Sequence, residues 1–142
     1  MVTASAAAYA EVLIVDDDLD GRQALAELLE YRGFSVGSAA NGREALNFLR
    51  SSSLPRIIIL DLMMPVMDGW EFLEHQSRDF ALMEIPVIVL TATPPLEPIK
   101  AKVILQKPIH LDSLVKLLNH YLCLSQHSFD TFAAKMNDQI IM

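Results

Sequence analysis

Cysteine is nearly missing. Cys123 is the only one in 142 residues, which excludes an intrachain disulfide and a cysteine-clustered metal site and suits a reducing, cytoplasmic setting. Basic residues are outnumbered, with 11 Lys and Arg against 18 Asp and Glu for a formal net charge of −7. A surface of that sign repels nucleic-acid phosphates and anionic lipid, so direct nucleic-acid binding is not expected. No apolar run approaches the roughly 20 residues needed to cross a bilayer, and membrane insertion is not expected either. Residues 1–10 lack the positive start and Leu-rich core of a signal peptide and read as a loose tail. Internal repeats and long low-complexity tracts are also missing. His75, His110, His120 and His127 show no metal-ligand spacing and read as surface or capping residues.

What is present is apolar material, 52% of the chain, enough for one globular domain at roughly 150 residues per domain. Glu11 to Val15 reads as a buried strand that runs into the acidic cluster Asp16, Asp17, Asp18 and Asp20. Ala24, Leu25, Leu28 and Leu29 then recur at helical spacing, and Gly33 closes that helix. Phe34 to Ser38 reads as a second strand, and Asn41 as the N-cap of a helix with Ala45, Leu46 and Leu49 on its apolar face. Arg56 to Leu60 contains Ile57, Ile58 and Ile59 in a row, a continuous apolar run of the kind found in strands covered on both faces. Asp68 reads as the cap of a helix carrying Trp70, Phe72 and Leu73. Pro86 to Leu90 and Val103 to Leu105 read as two further strands, and Leu111 to Leu122 as a last helix. This alternation predicts an α/β protein with a five-stranded parallel sheet.

In open parallel sheets, ligands bind beyond the carboxyl ends of the strands. The residues just past the predicted strands are Asp16 and Asp17, Asp61, Thr91, and Lys107. Carboxylates gathered at one place repel each other unless a cation is present, and Mg²⁺ suits oxygen ligands of this kind. A lysine and a hydroxyl beside them suit the oxygens of a phosphoryl group, and a carboxylate such as Asp61 can act as the nucleophile that accepts it. Taken singly each residue has a plainer reading: acids complementing a helix dipole, a turn threonine, a solvated lysine.

The stretches VLIVDDD (12–18), IIILDLMMPVMDG (57–69), VIVLTA (87–92) and QKP (106–108) together resemble the receiver domain of two-component response regulators. The resemblance covers about residues 11–123, leaving tails at 1–10 and 124–142. It implies a flavodoxin-like doubly wound sheet of strand order 2-1-3-4-5. It further implies that Asp61 is the phosphoacceptor, and that Asp16, Asp17 and Asp61, with the backbone carbonyl of Met63, hold Mg²⁺. Thr91 and Lys107 would contact the phosphoryl group, Pro65 and Gly69 belong to the loop after the acceptor, and the Lys107–Pro108 bond is one often cis in the family. The partners implied are a sensor histidine kinase or histidine phosphotransfer protein and a downstream protein target.

The chain departs from the family pattern in two places. Between Thr91 and Lys107, Pro94, Pro95 and Pro98 occupy a crossover with about ten residues to spare, at the lower limit for a helical connection. The fourth helix is therefore expected to be shortened or missing, with at most one turn near Glu97 to Ala101. Three residues before Lys107, where receivers commonly carry a switching aromatic, stands Ile104. Both features fit an adaptor that keeps the fold and signals without phosphorylation. A third reading, an aspartyl-phosphate phosphatase of the haloacid-dehalogenase type, requires a second Asp where this chain has Met63. In the tail, Phe129, Phe132, Ala133, Met136 and Ile140 recur at helical spacing and predict a short amphipathic helix over about 128–139.

Overall fold

A computed structural model describes residues 10–51 and 53–123. The predicted tails, apart from Ala10, lie outside the described residues. The elements run β1 (Val12–Val15), α1 (Leu19–Tyr31), β2 (Val36–Ala39), α2 (Gly42–Ser51), β3 (Ile57–Leu60), α3 (Gly69–Ser77), β4 (Val87–Thr91), β5 (Val103–Gln106) and α4 (Leu111–Cys123). All pairings are parallel and the strand order is β2-β1-β3-β4-β5, the doubly wound arrangement that the resemblance implies.

The apolar runs become two cores because strand side chains alternate between faces. Val12, Ile14, Ile57, Ile59, Ile88 and Leu90 share one core with Leu29 of α1 and Leu114, Leu117 and Leu118 of α4. Leu13, Val15, Ile58, Leu60, Val87 and Val89 share the other with Leu46 and Leu49 of α2 and Phe72 and Leu73 of α3. Fully burying one such aliphatic side chain contributes about 1.5–3 kcal/mol.

Local sequence sets the element ends. At the end of α1, Gly33 takes φ +99°, its N–H donates to Glu30 O, and the N–H of Phe34 donates to Leu29 O. This is the Schellman closure that glycine permits. It occupies the Phe34 amide, so β2 begins at Val36 rather than at the predicted Phe34. Asn41 Oδ1 accepts from Glu44 N at 2.9 Å, and Asp68 Oδ1 accepts from Glu71 N at 2.9 Å, so both predicted caps are formed. Along α1 the inward face is Leu25, Ala26 and Leu29; Ala24 is exposed and Leu28 is 47% exposed.

Residues 92–102, the crossover from β4 to β5, contain no helix. Their three prolines lack the amide donors that a helical ladder requires, and the segment crosses the sheet as bends, with Ile99 and Ala101 packed on the second core. Among the described residues, that core face therefore carries two helices, α2 and α3, and an irregular strap.

Candidate functional site

The sheet register assembles the site. Val15 pairs with Ala39 on one side and Leu60 on the other. The next residues continue the ladders, with Asp16 N donating to Ala39 O and Asp61 N to Val15 O. Thr91 pairs with Gln106, and Lys107 N donates to Thr91 O. Four predicted site residues thus stand at the same sheet edge because their strands end together.

Asp16, Asp17 and Asp61 each place a carboxylate oxygen within 4.8 Å of the others. Lys107 Nζ lies 3.4 Å from Asp16 Oδ2 and 3.9 Å from Asp61 Oδ2. The Asp16 and Asp61 side chains are mostly covered, whereas Asp17 is exposed. Burial pushes the Asp61 pKa above its ordinary value, the Lys107 ammonium opposes that rise, and Asp16 reinforces it. The Met63 amide, donating to Asp61 Oδ1 at 3.4 Å, pulls it down again, and Asp17 adds a smaller upward push. The donor set is all oxygen and carries more negative charge than one lysine balances, which is the chemistry that takes a hard divalent cation.

Thr91 is buried, and its hydroxyl is engaged locally: Oγ1 donates to Thr93 O at 2.9 Å and accepts from Thr93 N. Met63 is 66% exposed at the rim of the site. The Lys107–Pro108 peptide bond is cis. Ile104, at the position that receivers commonly give to an aromatic, packs partly buried against the second core.

Two supporting features, Arg22 and the Val66 turn, were not read from the sequence, and Gly69 was read there only as part of the acceptor loop. Arg22, from the first turns of α1, donates from Nη1 to Asp16 O at 2.6 Å and fixes the backbone that presents the acidic pair. Gly69 lets α3 start against the acceptor loop: a Cβ there would lie 2.7 Å from Asp61 O and 2.7 Å from Leu62 Cα. Val66 takes φ 70°, and Met67 N donates to Pro65 O across it. This is a γ-turn with positive φ, a strained conformation for a β-branched residue. The glycine had a signal, its place just after the Asp68 cap. The other two depend on which way a long side chain or a loop turns, and sequence spacing carries no mark of it.

The family model described as response regulator receiver domain matches residues 12–119. The Response regulator Rre1 of Synechocystis sp. is 40% identical over 82 residues, 57% of this chain and 35% of that protein. A 14.6 kDa protein of Leptolyngbya boryana is 36% identical over 125 residues, covering 83% of this chain and 93% of that one. The chain spans about a third of the length of the first curated relatives it matches. Among solved structures, the receiver domain of a signal transduction histidine kinase from Syntrophus aciditrophicus superposes with TM-score 0.73 at 31% identity, over 80% of this chain and 90% of that one. The Vibrio cholerae chemotaxis protein CheY4 superposes with TM-score 0.71 at 33% identity, over 80% and 99%.

Proposed function

The chain belongs to the response regulator receiver family of two-component signalling, and we propose that it accepts a phosphoryl group on Asp61 from a phosphohistidine and signals by protein contact. The observation that supports this most is the convergence of Asp16, Asp17 and Lys107 on Asp61 at the strand exits.

In this reading an Asp61 carboxylate oxygen attacks phosphorus, the P–N bond of the donor imidazole breaks, and its electron pair returns to the ring nitrogen. Little covalent chemistry falls to the protein beyond the nucleophile, so positioning and charge neutralisation carry the step. Lys107 holds a positive charge beside the acceptor oxygens and opposes the upward push of burial on the Asp61 pKa. Thr91 would exchange its bond to Thr93 O for one to a phosphoryl oxygen. Arg22 holds the Asp16 backbone in place. Mg²⁺, held by Asp16, Asp17, Asp61 and the Met63 carbonyl, would supply positive charge to the incoming phosphoryl oxygens. The partners are a sensor histidine kinase or histidine phosphotransfer protein and a downstream protein target, in the cytoplasm. Of the described helices none is long and apolar enough to cross a membrane.

Trp70, the chain's one tryptophan, stands at the start of α3 and lines the same hollow as Met63 and Thr93. Its fluorescence is expected to change on addition of Mg²⁺ and again with a small phosphodonor. No response to either would count against the reading. A second reading, an adaptor that keeps the fold and works without phosphorylation, is favoured by the helix-free crossover and by Ile104. Phosphorylation of the wild type and not of Asp61→Asn separates the two.

A further inference from the structure

Where the β4–β5 crossover carries no helix, a trough runs beside α3 along the second core. It is formed by three adjoining hollows, of about 440, 230 and 450 Å³. The first opens at the amino ends of β4 and β5, beside Pro86 and Lys102, and shares Ser77 and Lys100 with the second. Trp70 joins the second to the third, which reaches Met63 and Thr93 beside the acceptor site. Large apolar side chains stand exposed along it: Met83 at 44%, Trp70 at 40%, Met63 at 66% and Leu96 fully. Exposed apolar strips of this kind mark sites of contact.

We propose that the amphipathic segment 128–140 of this same chain occupies the trough, so that the C-terminal tail supplies the helix that the crossover lacks. Three observations commit the site to this occupant. Phe129, Phe132, Ala133, Met136 and Ile140 recur at a spacing that would put them on one face of a helix. At 1.5 Å per residue, that face is about 16 Å long, matching a trough flanked by the nine-residue α3. The tail also starts at the correct edge of the sheet. Arg56 Nη2 donates to Leu122 O near the end of α4, and Arg56 directly precedes β3, whose Ile58 N donates to Pro86 O at the mouth of the trough. From there, the six steps from Cys123 to Phe129 reach about 20–22 Å when fully extended, the distance from one helix layer round the sheet edge to the other at two layer spacings of about 10 Å each.

The test uses the unphosphorylated full chain with cations chelated, so its result is independent of the role given to Asp61. Phe132→Asp places a charge on the docking face, and Ala134→Asp places one off it. In Phe132→Asp the Trp70 emission is expected to shift to the red with greater acrylamide quenching, and amides of 83–87 and 98–103 to lose hydrogen-exchange protection. Unchanged protection of β1 and β3 shows that the fold persists, and Ala134→Asp is expected to behave as wild type. Equal Trp70 signals in wild type and Phe132→Asp would overturn the proposal. So would a wild-type signal that disappears on dilution in step with a dimer-to-monomer transition by sedimentation, because a second copy would then be the occupant.

Discussion

Lys107 Nζ and Asp16 Oδ2, 91 residues apart in the chain, meet at 3.4 Å and tie the exit of β5 to the exit of β1. The contact exists because five strands end together, and it puts the lysine within reach of Asp61 as well, at 3.9 Å. One ammonium thereby serves two carboxylates, leaving the third, Asp17, as the open side of the cluster.

Asp61 is held above its ordinary pKa of 3.8, chiefly by burial. A carboxyl with a raised folded pKa binds its proton more tightly in the fold than in the unfolded chain. It therefore favours folding below the unfolded value and loses that contribution as pH climbs through the folded one. With cations chelated, Asp61→Asn is expected to melt higher than wild type at neutral pH. The gap should close as pH falls through the folded value toward 3.8. Melting curves across this window check it, and a gap independent of pH contradicts the assignment.

Mg²⁺ bound only by the folded protein stabilises it by mass action, by about 2.7 kcal/mol at a hundred times the dissociation constant. The wild-type melting temperature is expected to climb with Mg²⁺ concentration. Asp17→Asn, which removes an exposed member of the carboxylate cluster, should flatten that response while leaving the chelated protein close to wild type in stability.

Gly69→Ala forces a Cβ against backbone on both sides, 2.7 Å from Asp61 O and from Leu62 Cα. Neither atom belongs to a flexible side chain, so the acceptor loop has to move. A loss of about 1–3 kcal/mol in urea unfolding is expected, together with slower phosphorylation of Asp61.

Gln76 is a buried amide whose Nε2 donates to Leu82 O and to Ile85 O, each at 2.9 Å, and so closes the segment between α3 and β4. Leu82 O keeps a second donor in Ile85 N. In Gln76→Leu the Ile85 carbonyl loses this partner, for an expected cost of about 1–3 kcal/mol. The change should appear in the unfolding midpoint and not in the slope.

The sheet was legible because its strands are unbroken apolar runs, Ile57 to Ile59 most plainly, and because polarity changes abruptly at their ends. That same change named Asp16, Asp17, Asp61, Thr91 and Lys107. Asn41 and Asp68 announced two helix starts, and three prolines announced a crossover without a helix. Periodicity alone misled at α1, where Ala24 and Leu28 fit the helical pattern yet point outward. A chain of short apolar spacings does not say which hundred degrees of a helix meets the sheet. Arg22 on Asp16 O, Thr91 turned to Thr93, and the positive φ of Val66 arise from tertiary contacts and turn geometry, which residue types alone do not encode.

Phosphoryl transfer to Asp61 is the central claim, and mass spectrometry of the full chain after exposure to a phosphohistidine donor with Mg²⁺ tests it most directly. The account predicts one added phosphoryl group in wild type, mapped to the peptide that contains Asp61, and none in Asp61→Asn. An unmodified wild type, or equal modification of Asp61→Asn, would contradict it.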